Sequence, residues 1–375
     1  MLSVFVAGAG MTRIGRRSEP LPELMAAAAR AALADASLAE PEAIVVATMN
    51  PEEFVGDGNF ASHVATHMGF AEVPALRAET ATSSGAAAVY TGFALIAAGL
   101  RRTVLVVGGE KMTHLATPKV SEIIGRSIDP YERTYGATMP ALAGLVTRAL
   151  MTRQGVTARE ISQVAVKNHA NGARNPFAHF RQAVAIDDVL DSRMVADPLR
   201  LMHCCPISDG AAAVVLSAGR TAVRVAGVGH GTDTLAVRHR VDLTSFAATR
   251  TAAREAFTMA GFGPERIDVA EVHDAFTPFE LISLEDLGLL PPGKAGRATL
   301  DGDTALDGRL PINPSGGLKA RGHPLAATGV AQVVECVWQL TGRAEGRQVA
   351  GATRALAHSI GGLATNNWVT LLERA

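Results

Sequence analysis

Three histidines of this chain stand in polar or glycine-rich segments beside apolar runs: His273, His323 and His358. An imidazole is the side chain best suited to taking or giving a proton near neutral pH. His323 lies in Asn313–Gly329, whose four glycines predict a tight loop that brings main-chain N–H groups and the imidazole close to a ligand. Taken alone, this stretch is equally compatible with an ordinary glycine-rich connection.

A fourth candidate segment carries hydroxyl groups instead of an imidazole. Thr82 and Ser83 precede Gly85 and a run of small residues that predicts a helix. The unpaired N–H groups and the dipole at a helix N-terminus would stabilise an anion there, and a hydroxyl could act as a nucleophile. The plainer alternative is that Thr82 caps the helix that follows it.

Composition and length predict a well-buried globular protein. The chain has 375 residues, enough for two or three domains, with 48% hydrophobic and 19% charged residues. Its net charge of −1 predicts neither a nucleic-acid nor a membrane partner. We see no signal peptide and no long apolar run, so we expect a cytoplasmic protein. Cys204, Cys205 and Cys336 have neither metal-ligand nor disulfide spacing, and we interpret them as packing residues.

Strands alternate with helices over much of the sequence, which predicts an α/β layered sheet with helical crossovers. Thr103–Gly108, for example, is a continuous apolar run typical of a strand buried on both faces. Residues 111–200 contain few strand-like runs and predict a mainly helical insertion over the sheet.

The second half of the chain repeats the first. Ala28–Ile44 aligns with Ala252–Asp268 with one gap, and each predicts a helix, a turn with proline and a strand. We therefore expect two duplicated α/β halves, at 1–220 and 221–375.

Four segments fall at equivalent strand ends in this scheme. Ligands of α/β sheets bind beyond the carboxyl ends of strands, so we expect the four segments to converge on one crevice. They are Thr82–Gly85, His273–Phe276, Gly322–Pro324 and His358–Gly362.

Five motifs make the chain resemble the thiolase superfamily over essentially its whole length, most closely the archaeal and SCP2-type (lipid-transfer-protein-like) branch. They are Lys167-Asn-His-Ala-Asn-Gly, Cys205-Pro-Ile-Ser-Asp-Gly, His273-Asp-Ala-Phe-Thr, Asn313-Pro-Ser-Gly-Gly…Gly-His-Pro and His358-Ser-Ile-Gly-Gly. The resemblance implies a five-layered αβαβα thiolase fold with a loop domain, a homodimer, and an acyl-CoA substrate that brings coenzyme A with it.

The resemblance also assigns residues to the ligand. We expect His169 and Asn171 to shape the loop domain near the acyl pocket. The residues expected to contact coenzyme A are Ser315, Gly316, Gly317, Gly361 and Gly362. No metal site and no permanently bound cofactor is expected.

The chain departs from the family at its thiols. The nucleophilic cysteine of the family lies in a Glu-x-Ala-Cys-x-Ser-Gly pattern, and Thr82 occupies that position here. The second cysteine is replaced at both of its possible positions, by Ala275 and by Ser359. An oxygen ester would not readily return its acyl group to a thiol, so the sequence disfavours ordinary thiolytic cleavage.

A retro-aldol cleavage of a 3-hydroxyacyl-CoA needs only a base and an oxyanion site, without a covalent intermediate. The resemblance implies that His323 and His273 form the oxyanion site, and His358 or one of these two is the candidate base. Two alternatives stay open. One is acyl transfer or Claisen chemistry on Thr82 or Ser83, and the other is a non-catalytic acyl-CoA-binding scaffold for a partner protein.

Cysteine-poor members of this branch resemble bacterial steroid side-chain aldolases, which work with a small OB-fold, Zn-ribbon (DUF35-type) partner. A similar partner is therefore expected here. Those aldolases are thought to use tyrosines of the C-terminal half, whereas this chain has only Tyr90, Tyr131 and Tyr135. Tyr131 or Tyr135, in the predicted insertion, is the tyrosine that could substitute.

Overall fold

The computed structural model describes residues 2–375. Its strands are β1 (Phe5–Met11), β2 (Ile44–Ala47), β3 (Ala75–Ala78), β4 (Thr103–Glu110), β5 (Met194–Ala196), β6 (Leu199–Arg200), β7 (Gly210–Ser217), β8 (Val223–Thr232), β9 (Val269–Glu271), β10 (Arg354–Gly361) and β11 (Asn366–Arg374). Its helices are α1 (Leu21–Asp35), α2 (Pro51–Phe54), α3 (Phe60–His67), α4 (Ser84–Ala97), α5 (Thr117–Gly125), α6 (Pro130–Thr134), α7 (Met139–Gln154), α8 (Ala158–Ala173), α9 (Ile186–Asp191), α10 (Ala247–Ala260), α11 (Thr277–Asp286), α12 (Ala295–Leu300), α13 (Gly317–Ala320) and α14 (Leu325–Leu340).

A mixed nine-stranded sheet has the order β3-β2-β4-β7-β1-β8-β11-β10-β9. Strands β1 and β8 join its two halves through only two paired positions, Phe5 with Arg224 and Val6 with Val223. On each side of this junction the strands follow the same plan, with a parallel pair (β2–β4 and β9–β10) outside an antiparallel set. The expected duplication is therefore present in the topology.

Helices cover the two halves in layers. Helix α1 packs on β1, β4 and β7, and helix α10 packs on β8 and β11. Helices α4 and α14 lie against each other, and α14 contacts strands of both halves, including β4, β7 and β10. This arrangement confirms the predicted five-layered αβαβα fold with a mainly helical loop domain, α5–α9. The exact domain boundaries stay a prediction.

Two glycines let the middle helices approach each other closely at their N-termini. A Cβ atom on Gly85 of α4 would lie 2.2 Å from the carbonyl oxygen of Ala326, and one on Gly329 of α14 would lie 2.4 Å from the nitrogen of Ala86. Such distances exclude any side chain. The residues that precede the two helices are thereby brought to the same edge of the molecule.

Two local predictions were wrong. Residues 358–361 belong to β10 rather than to a loop, because every residue from Arg354 to Gly361 pairs with β11. The Asn313–Gly329 stretch, expected as a tight loop that ends in a helix, also contains the short helix α13, and α14 begins earlier than expected, at Leu325. Among residues 2–375, no helix combines the length and apolar character that a membrane span needs.

Candidate active site

A cavity of about 160 Å³ opens where the N-termini of α4 and α14 meet the loop after β9. Most of its wall is apolar and comes from the helical insertion, α11 and the start of α14. Its polar lining residues are Thr82, Ser121, Thr138, Cys204, Cys205, His273 and His323. Of the predicted catalytic residues, the structure therefore brings together His273, His323 and Thr82.

His323 stands just before α14 and is held by that helix. Its Nδ1 lies 2.7 Å from the hydroxyl oxygen of Thr328, one turn into α14. Thr328 is fully buried, and its hydroxyl has no other hydrogen-bond partner within residues 2–375. The hydroxyl therefore donates to Nδ1, which assigns the ring proton to Nε2. Burial, aided by Arg321, lowers the pKa of His323 to about 3, so the ring is a neutral donor.

His273 follows β9 and faces His323. The two ring centroids are 5.0 Å apart and the rings are nearly perpendicular. The Nδ1 atom of His273 is buried without a partner, so Nε2 is the nitrogen available to a ligand in the cavity. Burial lowers the pKa of His273 well below its usual value, and the neighbouring His323 lowers it further. The cavity thus holds two neutral imidazoles.

A buried carboxylate ties the two histidine segments together. Asp274, next to His273, accepts hydrogen bonds from the backbone N–H groups of Leu318 (2.6 Å) and Lys319 (3.1 Å) in α13. Gly317 is required for this contact, because a Cβ atom there would lie 2.5 Å from the carboxylate and the residue has a φ of 58°. Gly317 therefore serves packing against Asp274 more than contact with a ligand.

The loop domain fixes the same stretch from the other side. The side-chain amide of Asn171 donates to the carbonyl of Asn313 at 3.0 Å, and that of Asn175 donates to Ser315 at 2.8 Å. His169 bonds the carbonyl of Gln182 and stacks on an aromatic ring. Asn171 and His169 are thus scaffold residues that do not line the cavity.

The hydroxyl groups before α4 are all committed to backbone carbonyls. Thr82 donates to the carbonyl of Ile360 at 2.7 Å, and Ser83 lies within reach of the carbonyls of Thr80 (2.8 Å) and Asn366 (3.0 Å). Thr82 lines the cavity but Ser83 does not. The helix begins at Ser84, with Ser83 in the N-cap position, so the alternative of Thr82 as a helix cap is wrong.

His358 lies in a strand and does not line the cavity. Its Nε2 is 3.1 Å from the hydroxyl oxygen of Thr249 in α10, which also accepts a hydrogen bond from Asn367 at 2.7 Å. Ser359 faces the opposite side of the strand, is buried without a partner, and does not line the cavity either. Because His358 bonds Thr249 and does not line the cavity, the expectation that this segment brings an imidazole to the site was wrong.

The residues expected to contact coenzyme A have different positions. Gly362 lines the cavity. Gly361 packs against Ser83, and Gly316 packs against α8. Ser315 donates to the buried carboxylate of Glu271 at 2.6 Å. Their contact with coenzyme A stays a prediction, and the geometry favours a structural role for all but Gly362.

Sequence reasoning missed the thiols that line the cavity. Burial raises the pKa of Cys204 to about 11 and that of Cys205 to about 12, so both stay protonated. Tyr131 and Tyr135 do not line the cavity; they are 55% and 75% exposed and hydrogen-bond to each other. Within residues 2–375 no cluster of three metal-ligating side chains occurs.

Comparison with known proteins identifies the relatives of this chain. Residues 4–220 match the family "Thiolase, N-terminal domain", and residues 229–374 match "Thiolase C-terminal domain-like". An acetyl-CoA acetyltransferase of Methanothermobacter thermautotrophicus is 40% identical, with 100% of both chains covered. Sterol carrier protein 2 of Bos taurus is 34% identical over 96% of this chain and 70% of that protein.

One solved structure carries the same fold over nearly the whole length. It is the "Ltp2-ChsH2(DUF35) aldolase", which matches with a TM-score of 0.84, covering 99% of this chain and 98% of that one. The sequence identity of 23% makes this a statement about the fold.

Proposed function

The chain belongs to the thiolase superfamily, as an SCP2-type member, and on that basis we propose that it cleaves a C–C bond next to a coenzyme A thioester by a retro-aldol reaction of a 3-hydroxyacyl-CoA. One observation carries this proposal. Two neutral imidazoles face a cavity in which, within residues 2–375, no hydroxyl or thiol is hydrogen-bonded to a base. Such a site suits proton transfer and anion stabilisation better than nucleophilic attack.

The two imidazoles have different roles in this reaction. His273 takes the proton of the β-hydroxyl group at Nε2 as the bond between the α- and β-carbons breaks. His323 donates from Nε2 to the thioester oxygen, on which the enolate charge develops. His273 then returns the proton to the α-carbon, which burial favours because it makes the imidazolium costly. The products are an acyl-CoA and an aldehyde or ketone, with no net gain or loss of atoms.

Product analysis tests this reaction. The protein is incubated with a series of 3-hydroxyacyl-CoAs, with and without an added DUF35-type protein, and acyl-CoA and carbonyl products are measured by liquid chromatography and mass spectrometry. We expect acetyl- or propionyl-CoA together with an equimolar carbonyl compound. Tight acyl-CoA binding without any product, alone or with the partner, would instead favour the non-catalytic scaffold.

Acyl transfer is the second candidate, and the names of the relatives favour it. The relative from Methanothermobacter thermautotrophicus is called an acetyl-CoA acetyltransferase, and one of 32% identity from Thauera aromatica is called benzoylsuccinyl-CoA thiolase subunit BbsB. Transfer through a covalent intermediate would use Thr82 at the cavity. Mass spectrometry of the intact protein and of its proteolytic peptides after incubation with acetyl-CoA distinguishes the two, because only acyl transfer leaves an added acyl mass on the peptide that contains Thr82.

A partner and a second copy of the chain are also part of the proposal. The name of the structural neighbour pairs an aldolase with a DUF35 protein, which supports a partner of that kind here. Strand β3 lies at the edge of the sheet and leaves Leu76 43% exposed, which supports a dimer formed along this edge. Light scattering after size-exclusion chromatography would give the mass of the chain alone and with a DUF35 protein.

A further inference from the structure

The side chains that line the cavity beside the two imidazoles favour uncharged groups over charged ones. None of the residues that line it is a lysine, arginine, aspartate or glutamate. Both histidines that line it are buried and neutral. A carboxylate or phosphate placed between the apolar walls, away from the imidazoles and the helix N-termini, would lose water without gaining an opposite charge, which is costly.

Two contrasting apolar walls enclose the space. Met112, Val120 and Ile124 give an aliphatic wall, the last two from α5. Phe276 and Phe279 give an aromatic wall, with ring centroids 5.3 Å apart. Val120 is fully buried, and Met112 and Phe279 are only 1% and 2% exposed, so the walls are fixed by core packing.

The volume of the cavity limits the group that it encloses. At about 160 Å³ it is close to the engineered protein cavity of about 150 Å³ that holds one benzene molecule. Because the thioester group and the reacting hydroxyl group contact the imidazoles inside this same cavity, we propose that the whole acyl chain has about six carbons and that its part beyond the β-carbon is uncharged and apolar, whether straight or branched. The four fused rings of a steroid exceed this volume. This substrate class rests on the proposed retro-aldol function for the position of the reacting hydroxyl group.

Binding of saturated acyl-CoAs tests the cavity separately from the chemistry, because these ligands lack the hydroxyl group and are not cleaved. Calorimetry would compare acetyl-, butyryl-, hexanoyl-, decanoyl- and adipoyl-CoA. We expect affinity to rise about fourfold for each added CH₂ group up to hexanoyl-CoA and then to stop rising. Adipoyl-CoA, with its terminal carboxylate, is expected to bind at least about tenfold more weakly than hexanoyl-CoA.

Two substitutions of the wall residue Ile124 should shift the acyl-chain length that binds best in opposite directions. Ile124→Ala enlarges the cavity and should raise the affinity ratio of decanoyl- to butyryl-CoA by about fivefold, while Ile124→Phe fills it and should lower the ratio by a similar factor. Ile124 is only half-buried, so both variants are expected to fold. Lys119→Ala, an exposed position on the same helix, serves as the control and should leave the ratio unchanged.

The outcomes separate this inference from the proposed function. Affinity that keeps rising to decanoyl-CoA, or equal binding of adipoyl- and hexanoyl-CoA, would overturn the substrate class even if a retro-aldol product appeared. The expected binding series without product from any 3-hydroxyacyl-CoA would leave the substrate class standing and remove the proposed reaction.

Discussion

The N-termini of α4 and α14 occupy equivalent places in the two halves of the fold, yet they are built for different tasks. Before α4, Thr82 donates its hydroxyl proton to a backbone carbonyl, as does Ser83. Before α14, His323 uses one nitrogen for Thr328 and leaves the other to the cavity. The hydroxyl groups before α4 are thus hydrogen-bonded to the protein itself, whereas the imidazole before α14 keeps one nitrogen free for a ligand. We infer that the chemistry depends on the C-terminal half.

The sharpest test of this difference compares His323→Ala with Thr82→Val. Loss of one donor to a developing oxyanion typically slows an enzyme by about 10²–10³-fold, and we expect that loss in kcat for His323→Ala. Thr82→Val keeps the shape and removes the hydroxyl group, so kcat should change by less than about threefold. Steady-state rates with a cleaved 3-hydroxyacyl-CoA measure both. An equal loss in the two variants would show that α4 takes part in the chemistry.

A substitution at Gly85 should disrupt the close packing of α4 against α14. In Gly85→Ala the new methyl group would lie 2.2 Å from the carbonyl oxygen of Ala326, so we expect a loss of about 3 kcal/mol in the free energy of unfolding. Urea denaturation measures this loss. Gly346→Ala is the matched control, because an added Cβ there meets nothing within 4 Å, and it should stay within about 0.5 kcal/mol of the parent. A stable Gly85→Ala protein would mean that the helices can separate at little cost.

A second feature of the α14 N-terminus is a buried carboxyl group that accepts a hydrogen bond from its backbone. Glu110 is fully buried and accepts hydrogen bonds from Thr48 (3.0 Å), the N–H of Met49 (3.0 Å) and the N–H of Ala326 (3.4 Å). Burial raises its pKa from 4.5 to about 8. The native state therefore keeps a proton that the unfolded chain releases above pH 4.5, and its contribution to stability is lost as the pH rises towards 8.

Replacing Glu110 with glutamine removes this pH dependence. Relative to Glu110→Gln, the parent protein should lose about 2 kcal/mol of unfolding free energy between pH 5 and pH 7. Denaturation curves at several pH values would show it. A constant difference between the two proteins across this range would mean that Glu110 has an ordinary pKa in the folded state.

The smallest expected effect concerns the tautomer of His323. Thr328→Val removes the hydroxyl group that donates to Nδ1, so the ring proton is no longer directed to Nε2. We expect kcat to fall about tenfold with little change in KM, since about 1.4 kcal/mol corresponds to one hydrogen bond of ordinary strength. Thr328→Ser keeps the hydroxyl and should restore the rate. A valine variant as fast as the parent would show that the tautomer does not matter.

Much of the fold follows from the sequence, and the site follows only in part. Thr103–Gly108 is predicted as a buried strand because apolar residues run without a break, and β4 confirms this. His273 and His323 could be placed together because His273 ends a predicted strand and His323 precedes a predicted helix. His358 could not be placed correctly, because the sequence does not say whether a residue at a strand end pairs with its neighbour. The aliphatic wall from α5 was also missed, since apolar helix residues look alike whether they face a core or a cavity.

The middle layer of the fold, formed by α4 and α14, affects how the protein unfolds. Side chains of α4, such as Val89, and of α14, such as Val334, share one hydrophobic core with strand residues of both halves, among them Val106 and Ala357. Neither half can cover its inner sheet face without the helix of the other. We therefore expect that the two repeats are not separable folding units. Heating should give a single calorimetric transition whose van't Hoff and calorimetric enthalpies agree, and either half expressed by itself should fail to fold.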